Sequence, residues 1–435
     1  MTPQLIGLIG FIATFVLMFM RVPIVISMIV PSFLGILILR NWDWKLLQAV
    51  SESFIWEHSF SYTLSTIPMF ILMGELLLVA GLTNELFSSF RSWFGRLKGG
   101  LAMATIGASS IFAASSGSSI ATTGTMGLIA SKEMLNSGYN KSLAAGAILA
   151  GGSLGILIPP STTFIIYGML SEQSIGKLFL AGILPGIVLT LFYLITVYIS
   201  VTINPALAPK WNSVVTWKER FVSLKSTVWI MILFVVVIGG IYLGIFSPNE
   251  AGGVGAFGAF IIALARKKLT WRSFVKALLH TLQTTGFLFA IVLSSFILNY
   301  FLAITRIPNL FAEFLINLEL SKGLLFAVII LMYIFLGAVL DAMAMIVITI
   351  PIVLPVIQAL GFDLIWFGVI LVLVVEMALI SPPIGMACFV LNGVEPDFKL
   401  ENIFKGAIRF MLPIIALVMV LYFFPEIALY IPNTM

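Results

Sequence analysis

The chain has 435 residues, 60% hydrophobic and only 9% charged, with a mean hydropathy of +1.14, which no water-soluble core can absorb, so it reads as a polytopic α-helical membrane protein. The net charge of +5 comes from short basic clusters between apolar runs, the pattern of cytoplasmic loops, which gives nucleic-acid binding no support. Cys388 is the single cysteine and His58 and His280 lie far apart, which excludes a disulfide framework, a thiolate metal site and a zinc motif.

The first apolar run, Pro3–Met20, lacks a basic n-region and leads straight into Arg21, so it reads as a retained helix. Crossings are predicted near 3–20, 22–39, 63–81, 141–170, 178–203, 227–246, 250–265, 282–303, 364–393 and 406–432. Trp42–Glu57 mixes tryptophan and charge with apolar residues, so it is expected to lie along the interface, with the basic segment 266–280 as its counterpart. Gly99–Leu135 and Gly323–Leu360 are expected to be hairpins that enter and leave on one face. With both termini outside, this places 18 of the 23 basic residues inside.

Two stretches carry loop chemistry inside apolar sequence. They are Ser115–Ser119 (SSGSS) and Leu149–Gly168 (LAGGSLGILIPPSTTFIIYG). Non-helical backbone at membrane depth survives only where protein buries it or a polar cavity hydrates it, so the two predict a site between them.

The halves of the chain correspond faintly. Pro23 matches Pro248 at an offset of 225, Lys98-Gly99 matches Lys322-Gly323 at 224, and Pro159-Pro160 matches Pro382-Pro383 at 223. Leu184-Pro185 matches Leu412-Pro413 at 228. The basic bias of equivalent loops is reversed: Arg40–Glu57 is mixed, whereas Arg266–Lys276 carries five basic residues and no acidic ones. The expectation is an all-α inverted-topology repeat with two re-entrant hairpins and two broken helices. Residues 1–20 form an N-terminal transmembrane helix, 21–203 the first repeat (hairpin about 99–135, broken helix about 141–170), 204–245 a basic linker and connecting helix, and 246–435 the second repeat (hairpin about 323–360, broken helix about 364–393).

Alkali cations want several hard oxygens. In the first half Ser115, Ser116, Ser118 and Ser119 offer hydroxyls, and the proline pair releases carbonyls near Gly155, Ile158 and Pro160, so a Na⁺ is expected there. In the second half the matching pieces are Gly337–Asp341 with Ala378, Ser381, Pro382, Pro383 and Gly385. Asp341 could bind a cation, carry a proton or cap the helix that starts beside it, and Glu376 is open to the same readings. Helix N-termini after each tip and each proline pair point at the centre and favour an anion. A carboxylate held by Thr122, Thr123, Ser161, Thr162 and Thr163 fits, with Ser116 and Asp341 at the same centre.

At AASSGSSIAT (113–122), GGSLGILIPPST (151–162), GIFSPNEAGGVGA (244–256), LGAVLD (336–341) and SPPIGM (381–386) the chain resembles the large membrane subunit of tripartite ATP-independent periplasmic (TRAP) transporters, within the ion-transporter superfamily of elevator carriers. The resemblance implies Na⁺-driven uptake of an organic acid, of sialic acid or dicarboxylate type, across the bacterial inner membrane. It implies a periplasmic binding protein that delivers the solute, a small four-helix membrane subunit, and no organic cofactor. Two Na⁺ sites follow from it: Ser115, Ser118, Gly155, Ile158 and Pro160 in one; Gly337, Ala378, Ser381 and Pro383 in the other. Family members often have Thr where this chain has Ser247 and Ser381. Ala378 has no hydroxyl and could contribute only its carbonyl.

Rival readings are a stand-alone ion-coupled carboxylate transporter of the same superfamily, a channel, a structural partner subunit, and an intramembrane enzyme using Asp341, Glu376 and Ser118. Neither a paired-aspartate motif, HExxH nor a Ser/His pairing accompanies those residues.

Overall fold

The structure is a computed structural model that describes every residue except 46, 47, 49–51, 54, 55, 57, 58, 60, 210–214, 338, 339 and 384, and the side chain of 226. Among the described residues every extended regular element is a helix. In chain order these are α1 (Pro3–Phe19), α2 (Ile24–Leu39), α3 (Thr66–Val79), α4 (Leu82–Phe94), α5 (Gly100–Ser116), α6 (Ser119–Asn136), α7 (Lys141–Ser153), α8 (Thr162–Leu170), α9 (Ile175–Ile203) and α10 (Trp217–Tyr242). There follow α11 (Pro248–Ala265), α12 (Trp271–Ile304), α13 (Ile307–Asn317), α14 (Lys322–Gly337), α15 (Ala342–Ala359), α16 (Leu364–Ile380), α17 (Met386–Val394), α18 (Leu400–Phe423) and α19 (Glu426–Asn433).

Tyr62–Val79, α9, α12, α15 and α18 are long and apolar enough to cross a bilayer. α10 joins them if its 47° bend between Lys225 and Thr227 is taken as one span. α1, α2, α5, α14 and α16 are apolar and of 16 or 17 residues, roughly 25 Å at a rise of about 1.5 Å per residue.

The ends of these helices follow from local chemistry. Asn140 and Asp363 accept backbone N–H groups of the first turns of α7 and α16. Thr216 with Glu219 and Ser247 with Glu250 form capping boxes that start α10 and α11. α5 and α6 run antiparallel: their tip is Gly117-Ser118, and at the far end the Leu101 N–H donates to the Tyr139 phenol at 3.1 Å. Burial pushes that phenol above its ordinary pKa. α14 and α15 pair in the same way, with Thr349 Oγ1 donating to Tyr333 at 2.7 Å and Phe326 5.6 Å from Phe362.

The core lies around α7 and α16. α16 is buried on every side from Trp366 to Ile380, and α7 from Leu143 to Ser153, as expected of helices apolar all round. α7 meets α18 at backbone distance, because a Cβ on Gly406 would stand 2.2 Å from the Ser142 carbonyl oxygen. On the other side of the molecule Phe301 of α12 sits in the space left by Gly10 of α1 and Gly35 of α2.

Several expectations change. α10 begins at Trp217, ten residues before the expected start, because the Thr216–Glu219 capping box nucleates helix through the basic residues read as linker. α12 runs without a break for 34 residues, so the basic segment expected along the interface is, from Trp271, the first part of a long helix capped by Thr270. The last expected crossing ends at Phe423, and α19 is a separate helix after Pro425. Half of the arm expected at Trp42–Glu57 falls outside the described residues, and so do Lys210 and His58.

The backbone recurs along the chain. Left-handed residues pair as Arg21 with Gly244, Trp42 with Lys267, Gly81 with Arg306 and Gly138 with Gly361, at offsets of 223 or 225. The caps Asn140 and Asp363 also stand 223 apart, as do the caps Ser118 and Asp341. Both proline pairs contain a cis peptide bond.

Candidate transport site

The first tip is built by a glycine and a ring of hydroxyls. α5 ends at Ser116, Gly117 takes the left-handed conformation (φ 57°), and Ser118 caps α6 by accepting the Ala121 N–H at 3.3 Å. Thr122 Oγ1 donates to the Ser118 carbonyl at 2.8 Å and stands 2.7 Å from Ser116 Oγ.

Opposite this tip α7 breaks. Its hydrogen bonds continue as turns as far as Ile158, after which Pro159 and Pro160 have no N–H to give and Ser161 caps α8 by accepting the Phe164 N–H at 3.4 Å. Among the described residues nothing donates a hydrogen bond to the carbonyls of Gly155, Ile158 or Pro160. Break and tip touch. A Cβ on Gly155 would be 2.7 Å from the Ser118 carbonyl oxygen, and Thr162 Oγ1 donates to the Gly117 carbonyl at 3.1 Å. Ser115 and Pro160 line one small cavity against Met73 of α3 and Leu233 of α10.

Ser115, Ser118, Gly155 and Pro160 therefore lie about one tip-and-break junction. Two details qualify the set: Ser115 Oγ donates to the Phe112 carbonyl at 2.7 Å, and the Ile158 side chain packs toward Gly186 of α9, so its carbonyl is the only oxygen it offers. Ser116, Thr122, Ser161 and Thr162 gather at the same junction. Thr123 and Thr163 are buried, and their hydroxyls have no partner among the described residues.

The second junction is related but looser. Gly337 ends α14 against Ala378, where a Cβ would stand 2.1 Å from the Ala378 Cβ. The Ala378 carbonyl accepts both the N–H and the hydroxyl of Ser381 at 3.2 Å. Pro382 and Pro383 are exposed, whereas Pro159 and Pro160 are buried. Asp341 Oδ1 accepts the N–H groups of Met343 at 2.8 Å and Ala344 at 3.1 Å, so of its three readings the capping role is the one occupied here. That carboxylate already answers the positive end of α15.

One contact was not legible in the sequence: the Ser119 hydroxyl at the first tip donates to Glu376 Oε1 on α16. The two residues are 257 positions apart. A lone carboxylate inside an apolar run marks Glu376 and the serine-rich tip marks Ser119, but nothing in the letters pairs the two.

Residues 11–427 match the family described as "Tripartite ATP-independent periplasmic transporter, DctM component". This chain belongs to the DctM family of TRAP transporters. It is similar to the C4-dicarboxylate TRAP transporter large permease protein DctM of Pseudomonas aeruginosa, with 33% identity over 87% of this chain and 88% of that one. It is also similar to the sialic acid TRAP transporter large permease protein SiaM of Vibrio cholerae, with 30% identity over 86% and 87%. Relatives of the DctM chain are thus permeases rather than enzymes, and the intramembrane-enzyme reading falls. Among solved structures the YdaH transporter of Alcanivorax borkumensis shares the fold, with a TM-score of 0.63 at 13% identity over 89% of this chain and 90% of that one.

Proposed function

We propose that this DctM-family chain is the transport subunit of a Na⁺-coupled TRAP system that imports an organic acid by an elevator mechanism. A periplasmic binding protein delivers the acid, and a small four-helix membrane subunit accompanies the chain in the bacterial inner membrane. The single observation that carries the sodium reading is the trio of carbonyls at Gly155, Ile158 and Pro160, which accept no hydrogen bond among the described residues. In a membrane interior such oxygens need a partner, and the groups around them are hydroxyls and amide oxygens. Among the described residues no three His, Cys, Asp or Glu side chains cluster as a metal site, so a hard alkali ion suits the junction better than a transition metal.

Two copies in opposite orientation, 21–203 and 246–435, explain the recurring left-handed residues and caps together with the reversed charge of equivalent loops. The tips meet the breaks of helices that start about 20 Å away at the surface, at roughly 1.5 Å per residue from Lys141, which supports re-entrant hairpins ending near mid-membrane. The moving block would then comprise α5–α8 and α14–α17, sliding against α1–α3, α11 and α12. Sodium bound at each junction ties tip to break and completes the face on which the acid rests. The N-termini of α6 and α8, adjacent at Gly117 and Thr162, offer that face its positive dipole ends. The two relatives, named for a C4-dicarboxylate and for sialic acid, support an acidic solute.

The test is uptake of labelled acids into proteoliposomes holding this chain, its small subunit and its binding protein, with and without an inward Na⁺ gradient. Gradient-dependent accumulation is expected; equal uptake in its absence rules out the sodium assignment.

A further inference from the structure

Glu376 is fully buried on α16, and it accepts the hydroxyl of Ser119 from a helix in the other half of the chain. Its second oxygen, Oε2, is also buried, and the carboxyl lies beside the backbone N–H of Ile156 in the first break as well. Ser119 directly follows Ser118, whose carbonyl lies against Gly155. Glu376 stands two residues before Ala378, against which Gly337 packs. One hydrogen bond thus separates the first tip-and-break junction from the second.

We propose that the Ser119–Glu376 contact couples the two cation sites, with Glu376 a positioning residue that makes sodium binding at one junction favour binding at the other. The inference rests on the sodium reading above. No water replaces a hydrogen bond lost in a dry interior, so the Ser119 hydroxyl and the Glu376 carboxyl stay together when either element shifts. Sodium that orders Ser118 at the first tip also holds Ser119, and through it the last turns of α16 that present the Ala378 carbonyl. The second ion then meets an element whose ordering has already occurred, and by linkage the effect is the same in the reverse direction.

The experiment is a Na⁺ titration of uptake by the complete three-component system, paired with a Na⁺ titration of the thermal unfolding temperature of the purified chain. The unmodified protein is expected to show a Hill coefficient approaching about 2, the number of sites. Ser119→Ala is expected to lower it to about 1 and to raise the half-saturating Na⁺ several-fold, within the roughly 5- to 150-fold range of site–site coupling. Glu376→Gln keeps an acceptor for the serine hydroxyl and is expected to retain the sigmoidal curve, which a loss of packing alone would not spare selectively. If Ser119→Ala does not accumulate in the membrane, Glu376→Met removes the acceptor at similar volume and is read in the same way. A sigmoidal curve that survives removal of either partner, or a hyperbolic curve in the unmodified protein, overturns the coupling while leaving the sodium reading intact. Uptake and unfolding that both ignore Na⁺ overturn the two together.

Discussion

A Cβ placed on Gly117 would stand 2.9 Å from the Pro160 carbonyl oxygen, so the tip of the first helical hairpin and the break in the opposing helix are in backbone contact. Gly117 also has φ 57°, where any other L-residue is strained by roughly 1–2 kcal/mol. Gly117→Ala is therefore expected to lower thermal stability by about that amount and to weaken apparent Na⁺ affinity at least tenfold. A Na⁺ titration of uptake beside a melting curve separates the two effects.

Ser118 contributes a cap and a hydroxyl at the same junction. Ser118→Ala is expected to cost about 1 kcal/mol through the lost cap and to raise the Na⁺ concentration for half-maximal uptake while membrane expression stays intact. An unchanged sodium curve would remove Ser118 from the ligand set.

Asp341 is the sharpest test of role, because asparagine caps a helix about as well as aspartate but carries no charge. If the side chain serves α15 through the Met343 and Ala344 N–H groups, Asp341→Asn keeps stability and Na⁺-dependent uptake, while Asp341→Ala loses about 1 kcal/mol. Loss of uptake in the asparagine variant at unchanged melting temperature would show that the charge itself is used.

Gly406 lies away from both junctions, and a Cβ there would meet the Ser142 carbonyl oxygen at 2.2 Å. Gly406→Ala is expected to push α18 off α7 and to destabilise the protein by about 1–3 kcal/mol or more. Folded protein recovered at low temperature should retain the wild-type half-saturating Na⁺.

The proposed inverted arrangement makes a vectorial prediction that needs no transport. Cys388 is buried, and in a Cys388→Ser background single cysteines replace exposed lysines. A membrane-impermeant maleimide applied from the periplasmic side is expected to label Lys177→Cys and Lys322→Cys but not Lys98→Cys or Lys268→Cys. Labelling of 98 and 322 from the same side would contradict the opposed orientation of the halves.

Much of this architecture was readable from the residues because the decisive features are local. The small residues around Gly117 and the paired prolines act within one turn of themselves, and the apolar sequence around them marks each as an interruption at membrane depth. The Thr216–Glu219 capping box is also present in the letters, but the basic residues beside it suggest a linker, and helix propagation from the cap outweighs their charge.

Side-chain polarity and the missing proline N–H, both readable at known positions, mark the chain as membrane-spanning, place its helix breaks and free the carbonyls of Gly155, Ile158 and Pro160, whereas the Ala378 carbonyl at the second break still accepts from Ser381. That Ser119 meets Glu376, that the Asp341 carboxylate serves a helix end, and that Pro159-Pro160 is enclosed while Pro382-Pro383 is open emerge from the packing alone. Those outcomes depend on which helix faces come together across hundreds of residues, and the packing of α7, α16 and α18 around glycines sets that in space, where no local propensity reaches.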